Sequence, residues 1–133
     1  MIKKYVDSNI IIHPLLYEDE KADRCKNFLK KVASKKEHAI CSYLAWDEIF
    51  YVVKRSLGKS IALVESKKLL NFPNLNFISV NKQIIYRAQE LLEKYDLNPR
   101  DAIHAATVIL NDAEIVTFDS NFDKIKELKK SKF

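Results

Sequence analysis

Asp7 ends a short apolar run, KKYV, and Asp119 ends another, IVTF, near the opposite end of the chain. A carboxylate placed where a buried strand stops either caps the next element or holds a cation. In an open parallel sheet, ligands bind in the crevice beyond the carboxyl ends of the strands, so two acids that each follow a strand belong to one edge. Glu48 falls in the second turn of a helix that leaves the same edge, close enough to lean back over it. Asp101 opens a later helix whose placement the order of elements does not force. Spacing therefore joins Asp7 to Asp119 and admits Glu48 and Asp101 as additions. Carboxylates sharing a crevice repel: a like-charged pair about 4 Å apart at intermediate dielectric costs on the order of 4 kcal/mol. A divalent cation relieves that repulsion, and hard oxygen ligands select Mg²⁺ or Mn²⁺ over zinc. Such an ion activates water and stabilises the charge that builds on a phosphoryl group during in-line displacement.

The elements that must position these acids are legible as a pattern. Tyr5 and Val6 favour a strand, which Asp7-Ser8-Asn9 stops. The run NIIIHPLL is broken by Pro14 and reads as a loop or a short turn of helix. Ala22, Cys25, Leu29 and Val32 recur at helical spacing between Glu18 and Lys36. HAICS reads as a second strand. Ser42 can cap the next helix, which carries Leu44, Ala45, Ile49, Val52 and Val53 and ends near Gly58. A further helix is expected over 60–70, a third strand over LNFISV, and a helix capped by Asn81 with Ile84, Ile85, Ala88, Leu91 and Leu92 on one side. In DLNPRDAIHAATVILN, Asn98 fits the N-cap, Pro99 the first helical position and Asp101 the first turn, where negative charge suits the helix dipole. The strand EIVTF follows, and 124–130 forms a short amphipathic, basic end. Short apolar strands alternating with helices predict an α/β fold: a three-layer α/β/α sandwich around a central, mainly parallel sheet.

Composition bounds the rest. A chain of 133 residues with 47% hydrophobic and 31% charged residues suits one globular domain spanning 1–133. No linker, repeat or low-complexity segment interrupts it. No apolar run approaches the roughly 20 residues that span a bilayer. The start, MIKKYVDSN, has charge but no signal-peptide core, which predicts a cytoplasmic protein without a membrane. Cys25 and Cys41 lie inside apolar patterns and read as buried free thiols, too few for a zinc site. The single glycine, Gly58, argues against phosphate-binding loops, which need glycine for close backbone approach. A net charge of +5 permits a polyanionic partner.

Each candidate also has a purely structural reading. Asp7 can simply terminate a strand, and Asp119 can cap a short helix from Asn121 onward. Asp101 sits in a sound helix start that needs no metal, and both roles are compatible. Glu48 competes with Asp47, since neither lies squarely on the inner face marked by Ile49, Val52 and Val53. Asp123, four residues past Asp119, reads as a solvated helix residue. His104, one turn after Asp101, reads as a hydrogen-bonded structural histidine rather than a general acid. Trp46 and the tyrosines read as core or interface, and the lysines as a solvated face with some reach toward the phosphates of a polyanion.

The segments YVDSNIII, SYLAWDEI, LNPRDAIHAATVI and IVTFDSNFD occur in an order that spans nearly the whole chain. In these pieces the sequence resembles the PIN domain family, small metal-dependent ribonucleases that include VapC-type toxins of toxin–antitoxin pairs. RDAIHAA followed by VTFD is the more specific part, and 58–76 carries no motif. The resemblance implies the parallel sheet with helices on both faces and an acidic cluster binding Mg²⁺ or Mn²⁺. It assigns Asp7, Glu48, Asp101 and Asp119 to the four acidic positions, with Asp123 as a further acid beyond the last strand. Ser8 or Asn9, and Thr117, match polar positions that support the cluster. It also implies an RNA substrate, a cognate antitoxin protein and a homodimer. Tyr43, Trp46, Phe50 and Tyr51 give the helix after Ser42 more aromatic surface than one core face needs, consistent with self-association.

Three other classes compete. A response-regulator-like receiver needs a phosphoacceptor Asp after the third strand, where this chain has Asn81, and an early acid pair, where Asp7 stands alone. A haloacid-dehalogenase-type phosphatase needs a second Asp two residues after the first, where Asn9 stands. A PIN-fold RNA-binding protein that is not a toxin, or has lost catalysis, keeps the fold; the full acidic set argues against it.

Overall fold

The computed structural model describes residues 1–133. The elements run β1 (Lys3–Val6), α1 (Ser8–Leu16), α2 (Glu20–Ala33), β2 (His38–Ser42), α3 (Leu44–Leu57), α4 (Lys59–Leu70), β3 (Leu75–Ile78), α5 (Lys82–Lys94), α6 (Pro99–Leu110), β4 (Glu114–Val116) and β5 (Lys129–Lys130), with a 3₁₀ turn over Ser120–Lys124 before the last strand. The sheet order is β3-β2-β1-β4-β5, and every neighbouring pair is parallel.

Because successive side chains on a strand face opposite ways, a sheet buried on both faces divides its apolar residues between two cores. Tyr5 lies opposite Ile40 and Ile115 in register, and these three pack with Ile84, Ala88, Leu91 and the alanines of α6. Val6, Ala39, Cys41 and Val116 point the other way, into a core completed by α1 to α4 through Ile10, Cys25, Ile49, Val53 and Leu69. The three-layer α/β/α sandwich is thus present, with a wholly parallel sheet. Cys25 and Cys41 are free and buried, and burial pushes the Cys25 thiol up to about 11. No helix is long and apolar enough to cross a membrane.

Chain order and sheet order part company at one point. From β1 the chain builds outward through β2 to β3, then returns to place β4 on the other side of β1. The C-terminal ends of β1 and β4 therefore flank the topological switch point, where crevices form. Asp7 is the first residue after β1, and the backbone N–H of Asp7 donates to Val116 O at 3.1 Å, tying the two strand ends together.

Three local expectations need correction. The stretch from Ser8 to Leu16 is a nine-residue helix with Pro14 inside it, rather than a loop. Proline removes one hydrogen bond near its end, but Asp7 caps its start and Ile10 is buried in the core, so packing decides. The basic end contains a fifth strand: Lys129 and Lys130 pair with Glu114 and Ile115, a two-residue edge whose lysines discourage further pairing. Ile85 faces solvent, and only Ile84, Ala88 and Leu91 are buried on α5. Asn98 does stand at the N-cap of α6, its carbonyl taking the N–H of Ala102, although its side chain makes no capping bond. Ser42 does serve α3, its hydroxyl accepting from Leu44 N at 3.1 Å, and Asn81 accepts from Ile84 N at 3.0 Å.

Candidate active site

Asp7 is the most buried of the acids, 6% exposed. Its position follows from β1 ending and α1 beginning at one residue: Asp7 N-caps the helix, and its Oδ1 accepts the Ser8 N–H at 2.8 Å. Its other oxygen accepts the Thr117 hydroxyl at 2.6 Å. That hydroxyl is fully committed, since it also accepts the Asp119 N–H at 3.0 Å and the Asn9 side-chain amide at 3.1 Å. Thr117 can do this because β4 stops at Val116, which turns the next residues off the ladder and over the switch point. Burial raises the Asp7 carboxyl above the usual aspartate range. His104 and Thr117 work against that shift, and the charge of Glu48 adds to it.

Asp119 caps the 3₁₀ turn through Asn121 N at 2.9 Å. Glu48 and Asp47 are separated cleanly. Asp47 is half exposed and pairs with Arg100 at 3.1 Å, whereas Glu48 is 19% exposed and its Oε1 lies 2.6 Å from His104 Nε2. Asp101, in the first turn of α6, is half buried. Its carboxyl is raised by burial, then by the charge of Asp119, with smaller contributions from Asp7 and Glu48 and an opposing one from His104. The fields of four carboxylates thus overlap at the edge where β1 and β4 end. Asp123 is not drawn in: its carboxylate pairs with Lys130 at 2.7 Å on the surface.

Glu48, Asn98, Pro99, Arg100 and Asp101 line an open cleft of about 570 Å³. A second cleft, bounded by Asp96, Asn98, Asp101, Asn121 and Lys124, adjoins it and shares Asn98 and Asp101. The two clefts therefore make a polar trough, bordered by the carboxylates of Glu48, Asp96 and Asp101 and by the cations Arg100 and Lys124. The all-oxygen donor set and its overlapping charge suit Mg²⁺ or Mn²⁺ rather than a soft metal. In this structure Asp7, Glu48 and Asp119 are bonded to protein partners, and no three Asp, Glu, His or Cys side chains stand together closely enough to enclose an ion.

Sequence reasoning missed Tyr5 as a participant. It is wholly buried, and its hydroxyl meets His104 Nδ1. The signal was available: strand alternation sends Tyr5 to the face opposite Val6, the face that α6 covers. His104 is held from both sides, by Tyr5 and by Glu48. Burial opposes protonation of the ring, but the Glu48 hydrogen bond and the charges of Glu48, Asp7 and Asp101 outweigh it and raise its pKa above the ordinary imidazole value.

A wholly parallel α/β/α sandwich with a carboxylate-lined crevice at its switch point defines the class. The chain belongs to the PIN domain family, whose family model matches residues 4–128. No curated protein matches the sequence. Three solved structures show the same fold. One is VapBC2 from Rickettsia felis bound to a DNA fragment from its promoter, 20% identical, TM-score 0.78, covering 98% of either chain. Another is VapC20 from Mycobacterium tuberculosis, described as a Sarcin-Ricin loop cleaving toxin, 18% identical, TM-score 0.75, covering 92% of this chain and 95% of that one. The third is FitAcB from Neisseria gonorrhoeae, 14% identical, TM-score 0.75, covering 97% and 96%. At these identities the likeness is one of fold.

Proposed function

We propose that residues 1–133 form a single nuclease domain, an Mg²⁺- or Mn²⁺-dependent endoribonuclease acting as the toxin of a toxin–antitoxin pair. The observation that carries this reading is the gathering of Asp7, Glu48, Asp101 and Asp119 at one sheet edge, where burial raises the carboxyls of Asp7 and Asp101, the charge of Glu48 adds to both shifts, and the charges of Asp119 and Asp7 add to that of Asp101. Folding alone gains nothing from such a cluster, whereas a cation offsets it. Asp7, Asp101 and Asp119 would hold the ion, with Glu48 acting directly or through water. What a divalent ion supplies when bound is a more acidic attacking water and neutralisation of charge on the phosphate. The protein groups set the geometry: Thr117 fixes Asp7, the 3₁₀ turn fixes Asp119, and the trough beside Asp101 receives the strand, with Arg100 and Lys124 placed for flanking phosphates.

The cognate antitoxin would be a separate chain, as in the complexes that share this fold. Buried, reduced Cys25 and Cys41 suit action in the cytoplasm. A homodimer would cover the face of α3 where Tyr43, Trp46 and Tyr51 stay exposed. Sedimentation velocity at micromolar concentration is expected to show it; a 15.5 kDa species alone would remove that assignment.

The test of the reaction is the chemistry of the ends. With water as nucleophile, cleavage leaves a 5′-phosphate and a 3′-hydroxyl, stops in EDTA and returns with Mn²⁺. Ends carrying a 2′,3′-cyclic phosphate, or cleavage undiminished in EDTA, would exclude the mechanism. One observation favours a second reading, an RNA-binding PIN-fold protein without catalysis: the carboxylates enclose no ion-sized site in this structure. RNA binding without cleavage at any Mn²⁺ concentration would establish that reading instead.

A further inference from the structure

A polar chain runs from the core to the trough. Tyr5, without exposed surface, meets Nδ1 of His104, and Nε2 of His104, itself 1% exposed, meets Glu48 Oε1 at 2.6 Å. The surroundings of His104 are apolar: Ala102, Ala105, Ala106 and Val108 on its own helix and Ile115 on β4 belong to the same core. A phenol and an imidazole buried there need partners to offset lost hydration, and apolar side chains would serve packing as well. An ionised carboxylate only accepts hydrogen bonds, so Nε2 carries the proton facing Glu48. That leaves Nδ1 to the Tyr5 hydroxyl, which can donate to it or accept from it. The ring is thus fixed at both ends in either charge state, and it points one N–H at one oxygen of Glu48. A glutamate on a helix face has several rotatable bonds. With Oε1 held, the Glu48 carboxylate is left one oxygen for whatever enters the cleft that Glu48 lines.

We propose that His104, held by the Tyr5 hydroxyl, is the positioning residue that aims Glu48 at the cation and phosphate in the trough. The proposal rests on the reading of Glu48 as a site residue. Neither Tyr5 nor His104 touches substrate; both act through Glu48, as hydrogen-bond partners orient the ligands of metal sites.

Calorimetric titration of the full chain with Mn²⁺ tests this, with RNA cleavage as a second readout. Glu48→Gln is expected to weaken Mn²⁺ binding. His104→Ala is expected to weaken it by about 10–100-fold, the usual effect of losing an orienting partner. His104→Gln, whose amide nitrogen can stand where Nε2 stands, is expected to recover most of that loss, and Tyr5→Phe to fall between the two. The discriminating variant is Glu48→Gln/His104→Ala. If His104 works only through Glu48, the double variant binds Mn²⁺ no more weakly than Glu48→Gln alone; a histidine that merely supports the fold gives additive losses. Should His104→Ala not fold, Tyr5→Phe with Glu48→Gln supplies the same cycle. Additive losses, or undiminished binding in both His104→Ala and Tyr5→Phe while Glu48→Gln weakens it, overturn the positioning role alone. Undiminished binding in Glu48→Gln overturns the assignment of Glu48, and the positioning role with it.

Discussion

Asp7→Asn is expected to lower kcat/KM for RNA cleavage by about 10²–10³-fold, the scale seen when one group that stabilises transition-state charge is removed. The substitution is nearly isosteric, so the loss reports charge rather than shape. Asp7 is 6% exposed, and burial with the nearby charge of Glu48 opposes its ionisation; His104, Thr117 and Ser8 offset part of that penalty, and a cation would offset the rest. Its two hydrogen bonds bear on whether the variant folds. The Thr117 hydroxyl already accepts two N–H groups, so its own hydrogen needs an acceptor, and the amide oxygen of Asn can serve. The Asn amide nitrogen then faces the Ser8 N–H, which loses its acceptor, a loss small beside the core that Ile10 and α1 complete. Single-turnover cleavage of a labelled RNA, beside a circular-dichroism melt, gives both numbers. In cells the wild-type chain expressed alone is expected to stop growth and Asp7→Asn to permit it. Asp7→Asn retaining a tenth or more of wild-type cleavage would remove Asp7 from the mechanism.

Mn²⁺ at one hundred times its dissociation constant is expected to raise the melting temperature by about 8 °C. Binding to the folded chain alone contributes about 2.7 kcal/mol at that concentration, and a chain of this size gains roughly 3 °C per kcal/mol. The increment should vanish in Asp7→Asn/Asp119→Asn. It should also grow with pH. Asp7 and Asp101 are raised above 3.8 in the folded state, and His104 above 6.5. A raised group contributes stability that is complete below its unfolded pKa and is lost as pH rises through its folded one. All three therefore favour the metal-free fold on the acid side, and the two carboxylates must lose their protons to bind an ion. The Mn²⁺ increment is accordingly expected to be larger at pH 7.5 than at pH 5. Scanning calorimetry with and without the ion measures it; an increment that shrinks as pH rises would mean that Asp7 and Asp101 do not bind the ion.

Much of this was legible in the residues, and the exceptions have physical reasons. Short apolar runs in KKYV, HAICS and EIVTF, with helical spacing between them, suffice for a parallel sheet with two cores, because strands buried on both faces have few other solutions. Asp7 and Asp119 were legible as neighbours because each follows a strand. Asp101 was not, since α6 follows another helix, and only tertiary packing of α5 on α6 brings its first turn to the crevice. Glu48 could not be told from Asp47 on the helix face alone; the choice was made by Arg100 and His104, 53 and 56 residues away. Helix α1 was hidden by Pro14, whose local penalty is overridden by burial of Ile10. Strand β5 was hidden by its lysines, which are poor strand formers and mark an edge. The fit of the acids to an ion was not legible at all, because side-chain torsions answer to partners such as Thr117 and His104 rather than to spacing.

The bond from Thr117 to Asp7 joins residues 110 positions apart. During synthesis, at roughly 5–20 residues per second, β1 leaves the ribosome about 5–20 s before β4 can reach it. Until then the sheet can hold only β1, β2 and β3, and the crevice has one wall. Asp7 meanwhile has neither the hydroxyl that fixes it nor the acid that faces it. A chain interrupted just before β4, by a stalled ribosome or a damaged message, therefore carries most of the elements but lacks Thr117 and Asp119, and with them one side of the acidic crevice. For a ribonuclease toxin of the kind proposed, a site completed by β4 and the turn after it would delay activity until translation is nearly complete.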